Sequence, residues 1–426
     1  MEDNARRKRR DLIQNIAIVA LSLSAVLLFA QSQIYNLLSD QNGLTDRLAG
    51  AAAGDTAVEA TLTAPVRVVV TGVYDRYGAI LTTDAESFSD LGLLLKEALG
   101  AAGTLTVCQE AEFVSALGTS SVYYDFLSPL PLSILSELVG GGGEGIAGNT
   151  QIRQLALSPG GSSVYLYAWD GGATYYVCQV PPLSVEDLET VVNNCTFGVA
   201  AFAYDEVSLN ERYGQIAPHS LLLAELPVLP VLSASNPLTS SDQVLTALGF
   251  NPSTKNRYTD AGGTEIIRET DRSLQIGSGG TVVYEGGTDP VVTIQAEGDL
   301  PTPLEAAVGA TSLLRTLLGD LSGEAALYLE SIRFSEETTV LRFGYHVSGT
   351  PIRFSDGAAA AEVTLSGTTV SHLSLRVRQY VASGEESLLL PLRQALAIAA
   401  DTHQGAELFI GYADTGAAVS AQWMAG

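Results

Sequence analysis

Gln151-Ile-Arg-Gln-Leu-Ala-Leu157, Ser158-Pro-Gly-Gly161 and Ser163-Val-Tyr-Leu-Tyr-Ala-Trp169 decide the fold class of this chain. Two runs rich in strand formers flank a Pro-Gly turn signal, which is the pattern of an antiparallel hairpin. Asp170-Gly-Gly172 turns the chain again into Thr174-Tyr-Tyr-Val-Cys-Gln-Val180, so the hairpin grows into a three-stranded meander. Ser184 with Asp187 three residues on marks a helix start, and the spacing predicts a helix to about Asn194. A meander with a helix that must bury its apolar face reads as α+β with an antiparallel sheet and packed helices.

The pattern continues on both sides. Upstream, Val66-Arg-Val-Val-Val-Thr71 is a β-branched run after Pro65. Phe88, Leu91, Leu94, Leu95, Ala98 and Leu99 recur at helical spacing. A second helix is predicted over about 111–117 and a strand at Val122-Tyr-Tyr-Asp-Phe-Leu127. Pro129-Leu-Pro131 then opens a short helix that ends in Gly140-Gly-Gly-Gly143.

Downstream, residues 206–238 show no clear period and hold Pro218, Pro227, Pro230 and Pro237, so a connection is expected there. It separates a first α+β module over 61–205 from a C-terminal α+β region over 239–426. Ser240-Ser-Asp-Gln243 is a capping-box pattern opening a helix over 244–248. Strands are expected at 264–269, 273–277 and 281–285, a helix over 303–318, and strands at 328–334, 339–347, 361–365 and 370–380. A helix over 389–400 and a strand pair at 407–411 and 419–423 close the chain. A helix-then-hairpin unit recurs loosely in both halves.

The N-terminal stretch has a different character. Arg6-Arg7-Lys8-Arg9-Arg10 precedes an apolar run in which residues 16–30 carry no charge and only Ser22 and Ser24 are polar. Extended over 12–35, the run supplies the roughly 20 residues a bilayer helix needs. Five cations at one end against Asp40 and Asp46 at the other place residues 1–11 in the cytoplasm and the bulk of the chain outside. A cleaved secretory signal wants a shorter apolar core and small residues one and three positions before the cut; Ala30 suits one slot and Leu28 does not suit the other. Residues 36–60 read as a linker. Ala17, Ala20 and Ser24 form a small-residue face that would let membrane helices approach closely, and they are the candidate contact residues of the span.

Composition narrows the function classes. Formal net charge is −25; residues 1–30 hold five of 22 basic and three of 47 acidic residues, which leaves −27 beyond them. Nucleic acid is a poor partner for such a chain, because binding it needs many Lys and Arg contacts to phosphate. Anionic lipid or wall polymer would also be repelled unless cations intervened. Cys108, Cys178 and Cys195 do not form a disulfide framework; Cys178 and Cys195 could pair if they meet in space, and three buried free thiols are the expected state.

Catalytic signatures are weak. Gly140-x-Gly142-x-x-Gly145 has the spacing of a dinucleotide loop but follows a helix in a glycine run, whereas the cofactor motif needs a strand before it. None of Lys8, Lys96 and Lys255 follows glycine, which excludes a phosphate-cradling P-loop. Gly-x-Ser-x-Gly, Ser-x-x-Lys, His-Glu-x-x-His and Cys-x-x-Cys are all absent. His219, His346, His372 and His403 are widely spaced, and no pair among the many carboxylates stands out as an acid/base couple. Asn194-Cys-Thr196 is an incidental glycosylation sequon. No catalytic residue, cofactor or metal is expected.

A basic tail, one span and helix–meander modules together resemble the YycH and YycI accessory proteins of Gram-positive bacteria. The C-terminal part carries the resemblance: Phe343-Gly-Tyr-His-Val-Ser-Gly-Thr-Pro-Ile352, Glu362-Val-Thr-Leu-Ser-Gly-Thr-Thr-Val370, Arg376-Val-Arg-Gln-Tyr380, Glu407-Leu-Phe-Ile-Gly-Tyr412 and Trp423. Phe250-Asn-Pro252 with Arg257-Tyr258 and Tyr284 fits the preceding module. The resemblance covers residues 1–40 and 238–426; the first module is similar only in architecture, and the richness in Ala and Gly departs from the family. It implies a non-catalytic, membrane-anchored regulator of a two-component sensor histidine kinase in cell-wall homeostasis, acting beside a second accessory regulator. The alternatives are a ligand- or wall-polymer-binding protein with no kinase, or an extracytoplasmic hydrolase of unrecognised type.

Overall fold

Val68, Val69 and Val70 are all buried, so the first strand has apolar cover on both faces, and that requirement shapes the whole N-terminal half. The computed structural model describes residues 67–72, 77–81, 87–138, 150–195, 200–205, 216–223, 226–289, 291–335, 337–403 and 405–426. The predicted tail (1–11), membrane span (12–35) and linker (36–60), with Ala17, Ala20 and Ser24, lie outside the described residues, as does the glycine run at 140–145. Met1–Thr56 separates from a compact unit, Ala57–Gly426, to which everything below refers.

In chain order the first half comprises β1 (Arg67–Thr71), β2 (Tyr77–Leu81), α1 (Ser87–Ala101), β3 (Thr106–Cys108), α2 (Glu110–Leu117), β4 (Ser121–Pro131), α3 (Leu132–Leu138), β5 (Gln151–Gly160), β6 (Ser163–Trp169), β7 (Tyr175–Gln179) and α4 (Val185–Asn193). The strands form one antiparallel sheet in the order β2-β1-β4-β5-β6-β7-β3. Alternation along each strand sends Val68, Val70, Tyr124 and Leu155 to one face, where Leu91, Leu95 and Leu99 of α1, Leu135 of α3 and Leu188 of α4 meet them. Val69, Tyr123, Ala156 and Trp169 face the other way, against Phe113 and Leu117 of α2. Ser184 caps α4 by accepting the Asp187 N–H at 3.1 Å, as the spacing predicts.

A short pair, β8 (Ala200–Phe202) and β9 (Leu221–Leu223), leads into the second half. There follow β10 (Pro230–Ser235), α5 (Asp242–Ala247), β11 (Arg257–Thr259), β12 (Glu265–Glu269), β13 (Arg272–Ile276), β14 (Thr281–Glu285), α6 (Pro303–Leu318), β15 (Ala326–Phe334), β16 (Thr338–Val347), β17 (Thr350–Phe354), β18 (Ala361–Ser366), β19 (Thr369–Arg376), β20 (Gln379–Glu386), α7 (Leu392–Thr402), β21 (Leu408–Asp414) and β22 (Ala418–Ala425). The thirteen strands make one sheet in the order β11-β12-β13-β14-β19-β18-β16-β17-β21-β22-β10-β20, with β15 on β16. All of its pairs are antiparallel except β17 with β21. The described unit is therefore sheet-rich α+β.

Helix α6 begins where the sequence places it. Thr302 and Glu305 form a reciprocal capping box around Pro303, and Ala306, Ala310, Leu314, Leu317 and Leu318 are buried. It packs on β16 and β18 of the large sheet and on α3 of the other half. A single apolar core of buried residues runs from Val68 through Leu314 to Val419, so the two sheets share an interior.

Several elements differ from the sequence reading. The capping box expected at Ser240–Gln243 does not form: α5 starts at Asp242 with Ser241 as its N-cap and no side-chain cap bond. The helix expected over 389–400 starts only at Leu392, and β10 lies inside the expected connection 206–238. The expected turn Ser158–Gly161 is strand up to Gly160, and the chain reverses at Gly161-Ser162, with Gly161 at φ 67°. The expected strand 370–380 is two strands: β19 ends at Arg376, and β20 starts at Gln379 and pairs with β10. Strand β17 was not anticipated; it forms a tight hairpin with β16 around Ser348-Gly349 and also pairs with β21, far along the chain.

Gly280 sits at φ 89° between β13 and β14, where an added Cβ would fall 2.4 Å from the Val377 carbonyl oxygen; Gly279 beside it faces open space. Gly280→Ala is expected to lose about 1–3 kcal/mol in urea unfolding from the backbone conformation alone, and more from the clash. Gly279→Ala, with no clash to relieve, should stay within about 0.5 kcal/mol of the parent.

Candidate functional site

Asp125 lies inside the otherwise apolar run Val122–Leu127 and is fully buried, so it must be paired. Register supplies the partners. Arg67 is directly opposite it on β1, Gln154 on β5, and the same row continues through Trp169 and Tyr175, so these side chains share one face of the sheet. Arg67 donates to Asp125 through Nη2 and, at 3.1 Å, to Glu407 Oε1. Arg153 approaches the same two carboxylates, 3.6 Å from Asp125 Oδ1 and 2.5 Å from Glu407 Oε2. Its guanidinium also lies 5.6 Å from the Trp169 ring centroid.

Glu407 comes from the other half of the chain. It precedes β21, and its N–H and C=O are both paired with Gly426, at 2.9 and 3.0 Å. Two arginines and two carboxylates thus neutralise one another across the junction of the two sheets. Leu127, at φ 62°, turns its N–H onto Asp125 Oδ1 at 2.8 Å, which adds a bond to the buried carboxylate at the cost of a backbone conformation unusual for a side chain of this kind. The segment 216–223 lines the same junction: Ala217 N–H donates to the Ala406 carbonyl, and Leu408 N–H donates to Ser220 Oγ.

The electrostatics favour the charged forms of Arg67, Arg153 and Asp125 and the neutral forms of Tyr123 and His219. Burial opposes the charge of Arg67, but Asp125 and Glu407 outweigh it and hold the guanidinium above its usual range; Arg153 is raised for the same reasons. Burial likewise works against the Asp125 carboxylate, and the two arginines with the Arg67 and Leu127 hydrogen bonds hold it below its usual range. The Tyr123 phenol is raised by burial and by the two carboxylates. His219 is 1 % exposed, with its ring 4.2 Å from Trp169 and 6.2 Å from Phe113; burial and Arg153 lower its pKa to about 4. Neither His219 nitrogen has a hydrogen-bond partner, and the same holds for the Gln154 amide. A proton-transfer group at neutral pH works best with a pKa near 7, and each of these shifts moves its group away from that value. The arrangement clamps charge in place.

The other histidines stay apart: His372 pairs with Glu285 at 3.0 Å, His346 Nδ1 accepts the Gly349 N–H at 3.2 Å, and His403 caps α7. Among the described residues no three His, Cys, Asp or Glu side chains converge as a metal site. Cys108, Cys178 and Cys195 are buried and unpaired with one another; burial, helped at Cys108 by Glu112, pushes Cys108 and Cys178 up to about 11, and Cys195 is also raised. Among the described residues no helix is long and apolar enough to cross a membrane.

Two surface features remain. Between α2 and the β5–β6 pair lies an open groove of about 400 Å³. Beyond β20, residues 387–390 are pinned: Ser387 N–H donates to the Leu229 carbonyl at 2.7 Å, its hydroxyl to the Pro230 carbonyl at 3.1 Å, and Trp423 Nε1 to the Leu390 carbonyl at 2.9 Å. Leu389 turns toward the core while Leu388, 97 % exposed, and Leu390 face out, next to exposed Val228. The sequence reading placed Ser158 in a turn, Leu389 at a helix start and Trp423 in the resemblance, and gave none of these residues a binding role. The one local signal for the charge cluster was an aspartate amid apolar strand residues.

Comparison of the chain with protein-family models, with curated proteins and with solved structures finds no match.

Removing one carboxylate from the cluster leaves two buried cations with one counter-charge. Glu407→Gln is expected to cost about 3–5 kcal/mol in denaturant unfolding. Acid acts in two windows. His219 has a folded pKa of about 4 against an ordinary 6.5, so its contribution is complete above pH 6.5 and is lost as pH falls toward 4, on the order of 3 kcal/mol. Asp125, lowered from 3.8, contributes above that value and loses its contribution as pH falls further, through its folded pKa. His219→Phe should flatten the stability profile between pH 6.5 and 4 and leave the steeper loss below it.

Proposed function

We propose that the chain is a non-catalytic, membrane-anchored regulator that binds a two-component sensor histidine kinase and adjusts its activity in cell-envelope homeostasis. In this reading residues 12–35 form a single transmembrane helix, residues 1–11 lie in the cytoplasm, and the α+β unit works outside. The basic-then-apolar N-terminus and the resemblance of residues 238–426 to the YycH and YycI proteins support the anchor and the partner. The observation that carries binding is the pair Leu388 and Leu390: large apolar side chains held in water on a backbone already fixed by hydrogen bonds. Exposed apolar surface of this kind marks protein contacts, and a pre-fixed backbone loses little further entropy on binding.

Regulation needs no chemistry at the regulator. Binding shifts the kinase only if the regulator prefers one of its signalling states, and a coupling of about 1–3 kcal/mol changes the balance by roughly 5–150-fold. The face of Ala17, Ala20 and Ser24 would supply contact within the bilayer, and the leucine pair contact outside it.

Affinity purification from membranes tests the reading with three proteins: the parent, a form with residues 12–30 replaced by an unrelated span, and Leu388→Glu with Leu390→Glu. A histidine kinase recovered with the parent is expected, with recovery reduced at least about tenfold by the span swap, by the leucine pair, or by both, which locates the contact. No kinase with the parent would overturn the proposal.

A further inference from the structure

The groove between α2 and the β5–β6 pair has a donor and acceptor pattern specific enough to name its ligand. Ser158 and Thr119 lie in it with their hydroxyl oxygens 2.6 Å apart, and both also reach the Ala116 carbonyl, at 3.0 and 2.9 Å. Each hydroxyl has one hydrogen and two lone pairs. The hydroxyl–hydroxyl contact and the two contacts to Ala116 occupy both hydrogens, so what the exposed Thr119 hydroxyl offers a ligand is acceptor capacity, with Ser158, 1 % exposed, behind it. Glu112, also in the groove, uses Oε1 to accept the Gln109 N–H at 3.1 Å, and a carboxylate has room for further donors. This side of the groove therefore asks for O–H donors and repels anions.

The other side is aromatic. Tyr167 lines the groove, and Tyr165, directly opposite Ser158 across the hairpin, stands two residues away with the ring centroids 6.5 Å apart and tilted by 46°. Gly160 makes that placement possible: a Cβ there would lie 2.6 Å from the Tyr165 ring. Both tyrosines are half-buried, so their rings are held at the groove rather than swinging in solvent. The face of an aromatic ring is electron-rich and favours the slightly positive C–H face of a sugar.

We propose that this groove binds an uncharged pyranose oligosaccharide, with Tyr167 and Tyr165 stacking on sugar faces and Thr119 and Glu112 accepting from its hydroxyls. About 400 Å³ lies within the ordinary range of ligand sites and accommodates one or two sugar units. Phosphate-bearing and uronic polymers are excluded by Glu112 and by a chain of net charge −25. The site does not rest on the kinase reading and would hold for an ectodomain with no kinase partner.

The test uses the full chain in nanodiscs and saturation-transfer NMR, with chitotriose and maltotriose as neutral probes and trigalacturonic acid as the anionic one. Saturable binding of at least one neutral probe is expected, with a Kd of roughly 0.1–1 mM as suits an open groove, and at least about tenfold weaker binding of the anion. Tyr167→Ala should weaken binding at least about tenfold while Tyr167→Phe retains it, because the ring face and not the phenol makes the contact. If Tyr167→Ala fails to fold by circular dichroism, Tyr165→Ala takes its place, with a loss of about fivefold expected. No saturable neutral binding up to about 10 mM, unchanged affinity in a folded alanine variant, or preference for the anion would each overturn the proposal.

Discussion

Arg67 and Arg153 share the same two carboxylates, and one of those carboxylates belongs to a different sheet from the arginines. Charges taken out of water must be matched nearby or they cost more than a domain can bear. The seven-stranded sheet by itself holds two buried cations and one anion, so it is electrically incomplete until Glu407 arrives from the edge of β21. The apolar interior obeys the same logic, since α6 packs on both halves and the main cluster of buried residues spans both sheets. Charge and packing together make the two sheets one structural unit, whatever the modular look of the sequence.

Local signals were readable in the sequence and distant ones were not. The meander β5–β7, the Ser184 cap of α4 and the span of α6 are written within a few residues of where they act, and the structure has each of them; the capping-box pattern at Ser240–Gln243 is as local, yet no side-chain cap bond forms there. Strand β10 lies within the proline-bearing stretch 206–238, and its identity as a strand comes from β20 and β22, which short-range patterning does not register. Strand β17 is different: it has a local partner in β16 across Ser348-Gly349, and only its second pairing, with β21, is distant. At the hairpin, Pro159 and Gly160 read as a turn because those residue types usually make one; here Gly160 is a strand residue whose missing side chain admits the Tyr165 ring. Of the charge cluster, only Asp125 betrayed itself, and its partners are a matter of register and of tertiary contact.

The surface has a chemistry of its own. A net charge of −25 keeps like molecules and anionic polymers away, so specific contacts fall to uncharged groups. The outward leucines at 388 and 390 and the tyrosines at 165 and 167 are such groups, and in both places the backbone is fixed before any partner comes. Leu388 and Leu390 hang from a segment hydrogen-bonded to Leu229, Pro230 and Trp423; Tyr165 and Tyr167 stand on a strand paired on both sides.

The placement of β10 also dictates an order of assembly. Strands β1 to β7 pair within their own half, and β11 to β14 form successive hairpins, so both sets can close soon after they are made. Strand β10 precedes that hairpin series yet has no partner until β20 and β22 exist. Contacts so far apart in sequence form late, and until then Leu232 and Ala234 sit on an open strand edge, the kind of surface that recruits foreign strands. A chain delivered N-terminus first would thus pass through a stage in which its first sheet is formed, lacks the Glu407 counter-charge, and trails an unpaired strand. Protection of that intermediate, more than the stability of the finished fold, would then set how much protein matures.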